Sequence, residues 1–238
     1  MITGGFPIRV RVIMLLLNYF PFLHLCLLTL LIYVTKPIGI HSLLIALIGV
    51  YIFPPVLTRL LFFFRPISDD SINIASPDFL TWWGSLQFQV IFCRLPFLEE
   101  ALRIVPGLYS VWLRLWGAKI GRFTYWAAGT LILDRTFLQI GDDVVFGAGV
   151  RLNSHVIQVN EIGERQLLLS KIEIGDRCHI GGYSLLTAGT RIESDETTKA
   201  FLISPPFSHW QNGRRIHKSS DSRVSAVTPI PTPDTQTS

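Results

Sequence analysis

The hydrophobic residues of this chain follow one pattern in its first half and another in its second half. In the first half, residues 12–34 and residues 37–58 contain no charged side chain, and a short link with Lys36 separates them. Each run is long enough to cross the hydrocarbon layer of a bilayer, which is about 30 Å thick. The pattern therefore predicts a transmembrane helical hairpin within residues 1–65.

A cleaved signal peptide is the alternative for the first run, because Arg9 and Arg11 precede it. The run is longer than the apolar core of a signal peptide, no small-x-small cleavage site ends it, and a second run follows at once. We therefore expect the hairpin to remain as a multi-pass anchor in the cell (inner) membrane.

The cations that flank the hairpin indicate its orientation. Arg9 and Arg11 precede it, Arg59 and Arg65 stand at or after its end, and only Lys36 lies between the two runs. Cationic flanks face the cytoplasm in most membrane proteins. Both ends of the hairpin, and the domain that follows, are thus predicted to be cytoplasmic.

Residues 66–117 are rich in aromatic residues and leucine, yet charged residues interrupt them too often for a spanning helix. Pro96 and Pro106 divide this stretch into short segments. Tryptophan favours the lipid headgroup layer, and four tryptophans occur here: Trp82, Trp83, Trp112 and Trp116. The composition predicts amphipathic interfacial helices, and the alternative is a helical subdomain packed on the residues that follow.

In the second half an apolar residue recurs at every sixth position. The series are Ile120, Trp126 and Ile132; Ile140, Phe146 and Leu152; and Ile174, Ile180, Leu186 and Ile192. A period of six means one short strand and one corner per unit, so three units close one turn of a coil. The period predicts a parallel β-helix over residues 118–204 with three buried ladders: Ile120, Ile140, Ile174 and Ile192; Trp126, Phe146 and Ile180; and Ile132, Leu152 and Leu186.

With its motifs Ile140-Gly-Asp and Ile174-Gly-Asp-Arg-Cys-His-Ile-Gly-Gly182, this part of the chain resembles the hexapeptide-repeat acyltransferases. That family includes the maltose, galactoside and polysaccharide-linked acetyltransferases. The resemblance implies a left-handed parallel β-helix, acetyl-CoA or another acyl-CoA as co-substrate, and a sugar or glycolipid acceptor. The fold class expected is a membrane-anchored α plus all-β chain. A non-catalytic, membrane-bound oligomeric scaffold is the alternative, as is transfer of a different acyl group.

His155 is the candidate catalytic residue. It follows the buried Leu152 where a long insertion leaves the coil, and insertions on such coils collect on the binding face. Acyl transfer from a thioester to a hydroxyl needs a base with a pKa near neutrality. In the resembled family the catalytic histidine occupies such a loop, whereas the alternative reading is a solvated loop histidine.

Four further residues are candidates for the site. Stacking of the coil places Asp134 beneath the corner that begins with Asn153, so its carboxylate can orient the imidazole or hold the acceptor. We assign both Asp134 and Asn153 to acceptor binding. The resemblance assigns Gly182 and Ala188 to the cofactor, with the Gly182 amide approaching the thioester.

Composition and charge narrow the remaining classes. Only 16% of the residues are charged, against about 25% in soluble domains, and the net charge is only +4. The basic excess lies in the membrane-side half, which argues against a nucleic-acid partner. His155 and His179 are the only histidines of residues 118–204, fewer than a three-histidine zinc site requires, so no metal is expected.

The coil predicted here has three turns and part of a fourth, which is short for a solenoid that exposes apolar edges, so we expect a homotrimer. Residues 205–238 depart from the family pattern and are predicted to be a C-terminal extension and a disordered tail. Cys26, Cys93 and Cys178 form no CxxC pair and are expected to be reduced thiols in the cytoplasm.

We predict that a reporter fused after residue 70 is active on the cytoplasmic side of the membrane, because the flanking arginines hold both ends of the hairpin there. Activity and protease accessibility of the fusion measure this. A reporter that is active only outside the membrane would show that the orientation is wrong.

Overall fold

The computed structural model of the protein describes residues 7–36, 39–67 and 70–216. Its first half is helical. The helices are α1 (Ile8–Asn18), α2 (Phe20–Thr35), α3 (Ile40–Leu47), α4 (Phe53–Phe64), α5 (Pro77–Arg94), α6 (Phe97–Arg103) and α7 (Leu108–Leu115), with a π-helical turn at Ile48–Ile52 between α3 and α4.

Two helical stretches, Ile8–Thr35 and Ile40–Phe64, are long and apolar enough to cross a membrane. In the most apolar part of the first stretch, no residue is buried inside the protein. In the most apolar part of the second stretch, 11% of the residues are buried. Their apolar side chains are therefore available to lipid, which fits an anchor by length and composition. The end of the predicted hairpin at residues 1–6 and the link at 37–38 lie outside the described residues.

The three helices α5 to α7 pack against the coil that follows them. Trp82, Trp112 and Trp116 are 1%, 3% and 0% exposed. Their predicted position in the headgroup layer is therefore wrong, because their rings fill the hydrophobic core instead. Only Trp83 is half-buried. Residues 77–115 thus form a helical subdomain packed on the coil, which was the alternative for this stretch.

The second half is a coil of short parallel strands in three sheets. The first sheet contains β2 (Lys119–Ile120), β5 (Leu138–Ile140), β10 (Ile172–Ile174), β13 (Arg191–Ile192) and β15 (His209–Gln211). The second contains β3 (Tyr125–Trp126), β6 (Val145–Phe146) and β11 (His179–Ile180). The third contains β4 (Leu131–Ile132), β7 (Arg151–Asn153), β12 (Leu185–Thr187) and β14 (Ile203–Ser204).

Strand register confirms the three predicted ladders. Ile120 pairs with Ile140, Ile140 with Ile174, and Ile174 with Ile192 in the first sheet. The second ladder runs through Trp126, Phe146 and Ile180, and the third through Ile132, Leu152 and Leu186. A parallel coil with three flat faces follows from this register, and its left hand stays a prediction.

The coil is longer than the sequence pattern indicates. Trp210 of β15 pairs with Ile192 and extends the first ladder, and β16 (Arg214–Ile216) then pairs antiparallel with β15. Four turns are therefore complete and a fifth begins, so the predicted end at residue 204 is wrong. The inward position 204 holds a serine, whose hydroxyl bonds to Thr190 and Trp210, and this polar residue hides the period. The predicted tail beyond residue 216 lies outside the described residues.

A fully buried ion pair joins the helices to the coil. Arg135 follows β4, is 0% exposed, and donates to Glu99 of α6 and to Gln89 of α5. Glu99 also accepts hydrogen bonds from Tyr109 at 2.7 Å and Arg103 at 3.0 Å. Burial lowers the pKa of Arg135, but the charge and hydrogen bond of Glu99, together with the neighbouring Cys93 and Tyr109, outweigh this effect, so the guanidinium stays charged.

We predict that Glu99→Gln lowers the free energy of unfolding by about 3–5 kcal/mol, because it leaves the Arg135 charge buried without a counterion. Thermal unfolding in detergent micelles measures the change. Glu100→Gln is the matched control: this side chain is 38% exposed and pairs with Arg103, so its loss costs at most about 1 kcal/mol. Equal effects of the two variants would contradict a special role for the buried pair.

Candidate active site

His155 opens a hairpin that interrupts the coil after its second turn. The hairpin consists of β8 (His155–Val159) and β9 (Arg165–Leu169), and β9 also pairs antiparallel with β1 (Asp70–Asn73) from the helical half. The predicted loop therefore forms two strands of a three-stranded antiparallel sheet. Because backbone hydrogen bonds on both sides of β9 hold this sheet, it fixes where the His155 backbone lies.

Asp134 lies beside His155, as the stacking of coil turns predicts. Ile132 and Leu152 are paired in register, so the corner after β4 lies next to the corner after β7. Oδ2 of Asp134 is 2.5 Å from Nδ1 of His155. The Asp134 side chain is 1% exposed and that of His155 is 17% exposed. The two residues form a buried carboxylate and a partly accessible imidazole.

The geometry fixes which imidazole nitrogen can react. Because Nδ1 faces the carboxylate, Nε2 is directed away from it, and no described residue pairs with Nε2. Burial lowers the pKa of His155, but the charge and the hydrogen bond of Asp134 raise it more, so it lies above the ordinary 6.5. This arrangement suits Nε2 to accept and return a proton.

The second oxygen of Asp134 is held by a residue that the sequence did not reveal as part of the site. Nε1 of Trp82 donates to Oδ1 of Asp134 at 3.0 Å, and the Trp82 ring meets the His155 ring edge to face at 4.8 Å. Both carboxylate oxygens are thus occupied and buried. In this structure Oδ2 of Asp134 faces the imidazole of His155, and the assignment of Asp134 to acceptor binding stays a prediction.

A sequence signal for these helix contacts existed in the spacing of α5. Trp82 and Gln89 stand two turns apart and therefore share one face of the helix. Gln89 accepts hydrogen bonds from the backbone amide and guanidinium of Arg135, the residue next to Asp134. A buried glutamine on the helix face that carries Trp82 indicates a polar partner, but its position along the chain does not say which one.

Asn153 lies at the end of β7, two residues before His155. Its side-chain oxygen is buried and has no hydrogen-bond partner among the residues that the structure describes. An unpaired buried amide oxygen costs about 1–3 kcal/mol. The side chain is therefore suited to accept a hydrogen bond from a bound hydroxyl group.

The two predicted cofactor residues lie at different corners. Gly182 follows β11, between the second and third sheets, where an added Cβ would lie 3.1 Å from the carbonyl oxygen of Ala148. Ala188 follows β12 at the same corner as Asp134, and it is 0% exposed. The assignment of Gly182 and Ala188 to the cofactor stays a prediction. The chain does not bring Gly182 to the corner that carries His155.

Two other features bear on where chemistry can occur. A cleft of about 810 Å³ lies between α7 and the first coil turn, and none of the predicted site residues lines it. Within residues 7–36, 39–67 and 70–216, no three His, Cys, Asp or Glu side chains are grouped to hold a metal ion. The pair of Asp134 and His155 is therefore the candidate site that we develop.

The chain is similar to several solved acetyltransferases over about half its length. A maltose O-acetyltransferase from Clostridium difficile 630 is 18% identical, with 56% of this chain and 87% of that chain covered, at a TM-score of 0.40. A hexapeptide-repeat acetyltransferase from Vibrio cholerae O1 biovar eltor, complexed with acetyl coenzyme A, is 15% identical, with coverages of 58% and 91% and a TM-score of 0.38. A galactoside acetyltransferase in complex with coenzyme A is 14% identical, with coverages of 51% and 79% and a TM-score of 0.32. No family model and no curated protein matches the chain.

We predict that Asp134→Asn lowers the pKa of His155, because the amide removes the negative charge while burial remains. NMR titration of the imidazole in detergent micelles measures this without any assumption about activity. The wild-type midpoint is expected above 6.5 and the variant midpoint below it. An unchanged midpoint would show that Asp134 does not act on the imidazole.

Proposed function

We propose that the protein is a membrane-anchored acyltransferase that moves an acetyl group from acetyl-CoA to a hydroxyl group of a sugar or lipid-linked glycan. The observation that carries this proposal is the Asp134–His155 pair on a corner of the coil, with Nε2 of His155 unpaired among the described residues. A positioned base next to a buried carboxylate is the arrangement that hydroxyl activation requires.

His155 acts first as a base and then as an acid. Nε2 takes the proton of the acceptor hydroxyl as its oxygen forms the new bond to the acyl carbon. Asp134 stabilises the imidazolium that results, as in other carboxylate-imidazole pairs. The acyl thioester of CoA, when bound, supplies the electrophilic carbon and, as the C–S bond breaks, a thiolate. Nε2 returns its proton to that sulfur, so the imidazole ends neutral.

Two residues fit the reacting groups. The unpaired Asn153 oxygen suits the acceptor, since a second hydroxyl group of a sugar can donate to it. At Gly182 the absence of a side chain leaves the backbone amide open to the thioester region. Because Gly182 lies at another corner of the same chain, its contribution requires a neighbouring copy. A homotrimer, with a site in each groove between copies, would provide one.

The predicted location of the coil matches the location of the acyl donor. CoA thioesters are made in the cytoplasm, and the arginines that flank the hairpin favour a cytoplasmic position for the coil. The apolar hairpin would hold the site at the inner face of the cell membrane, where it would meet a lipid-linked acceptor. In this reading the coil is left-handed.

A non-catalytic scaffold is the alternative. It would need the ladders and exposed coil edges, but it has no use for a buried carboxylate against an imidazole, which costs free energy to desolvate. This contact favours the enzyme. The two functions predict different effects of removing the imidazole of His155 on acyl transfer.

We predict that His155→Ala reduces acyl transfer about 10²–10⁴-fold, because a positioned base contributes that much, and leaves assembly intact. Purified protein is incubated with labelled acetyl-CoA and membrane lipid extracts, and label in each lipid fraction is counted; light scattering reports assembly. His179→Ala is the matched control, since His179 is exposed on the coil. Unchanged transfer by His155→Ala would reject the catalytic role.

A further inference from the structure

Trp82 of α5 is in contact with both members of the candidate catalytic pair. Its indole N–H donates to one oxygen of Asp134 at 3.0 Å, and its ring meets that of His155 at 4.8 Å. The side chain is among the largest that are fully buried, so the contact is made without competing water. No other described side chain touches both residues through a hydrogen bond and a ring contact.

We propose that Trp82 is a positioning residue of the active site, so that a helix outside the coil completes the catalytic machinery. This inference rests on the proposed function. It goes beyond it because the hexapeptide coil alone contains Asp134 and His155 but not the donor that fixes the carboxylate.

The indole N–H determines how the carboxylate is turned. Asp134 has two oxygens, and a donor on Oδ1 leaves Oδ2 for Nδ1 of His155. Without that donor Oδ1 would be a buried charged oxygen with no partner, and His155 would be the remaining hydrogen-bond partner of the carboxylate among the described residues. The indole therefore sets which oxygen meets Nδ1 and how much of the carboxylate charge acts on the imidazole.

The hydrogen bond also sets how strongly Asp134 attracts a proton onto His155. An N–H donor stabilises part of the carboxylate charge, so less of it acts on the imidazole. Asp134 is the charged group that acts on His155, while the neighbouring guanidinium of Arg135 turns away to Glu99. Loss of the indole donor should therefore raise the pKa of His155 further.

The position of Trp82 is itself secured from several sides. Ser76 caps α5 by accepting from the Phe79 amide, and the Phe79 and Trp83 rings lie 5.5 Å and 5.8 Å from the Trp82 ring. Two turns further along α5, Oε1 of Gln89 accepts a hydrogen bond from the backbone amide of Arg135 at 2.8 Å. The same helix face thus holds both residues of the coil corner, which keeps the indole in register with Asp134.

The test is Trp82→Phe, which keeps an aromatic ring beside His155 and removes the N–H. We expect kcat to fall about tenfold, as loss of a hydrogen bond to a charged group predicts, with KM for acetyl-CoA unchanged. The acidic limb of the pH–rate profile should move to higher pH. Trp83→Phe is the matched control, because the Trp83 N–H donates only to Asn18 at the helix surface; its kcat and pH profile should equal those of the wild type.

A double-mutant cycle that combines Trp82→Phe with Asp134→Asn separates a positioning role of Trp82 from a general effect on packing. If Trp82 acts through Asp134, the Trp82→Phe change has less than about a twofold effect in the Asp134→Asn background. A full tenfold loss there would overturn the proposal. Benzothienylalanine at position 82, with sulfur in place of the N–H group, is a second variant that preserves the ring shape and should reproduce the Trp82→Phe result.

An NMR titration of His155 keeps this inference separate from the proposed function. An upward shift of the His155 midpoint in Trp82→Phe, absent in Trp83→Phe, supports the positioning role even if the wild type transfers no acyl group. An unchanged midpoint overturns it, even if acyl transfer is observed. Absence of transfer in the wild type would count against the proposed function alone.

Discussion

The structure depends on two opposite charges that stand side by side at one buried corner of the coil. Asp134 and Arg135 are 1% and 0% exposed, and burial of either charge alone would be very unfavourable. The carboxylate is satisfied by Trp82 and His155, and the guanidinium by Glu99 and Gln89. Three of the four partners lie on helices α5 and α6, and the fourth, His155, lies on the hairpin that interrupts the coil. The charges of this corner are therefore satisfied only when the helices, the coil and the hairpin pack together.

Much of the fold followed from the sequence because its cause is local and repeated. A six-residue period fixes which side chains point inward, and the register of Ile120, Ile140, Ile174 and Ile192 is as expected. The same logic failed at Ser204, where an inward hydroxyl is satisfied by Thr190 and Trp210. A period defined by hydrophobicity does not detect a polar residue that finds its partners inside.

The candidate site was only half accessible to sequence reasoning. His155 and Asp134 could be paired because coil stacking relates positions one turn apart. Trp82 could not, because its partner is 52 positions away on an element of different type. Tryptophan suits both a lipid headgroup layer and a buried core with a polar contact, and composition does not separate these environments. The two partners are far apart in the sequence, so local sequence pattern cannot predict their contact.

The antiparallel strand β1 gives the anchor a second role. One row of paired backbone positions runs from Asp70 through Leu169 to His155, and β1 begins soon after α4 ends at Phe64. Adjacent strands lie about 4.8 Å apart, so the imidazole-bearing residue stands about 10 Å from the chain that emerges from the apolar helix. The three-stranded sheet therefore fixes the distance between His155 and the end of α4. Under the proposed function, this distance would limit how far from the membrane the acceptor hydroxyl group can lie, so the acceptor would be selected by its reach as well as by its shape.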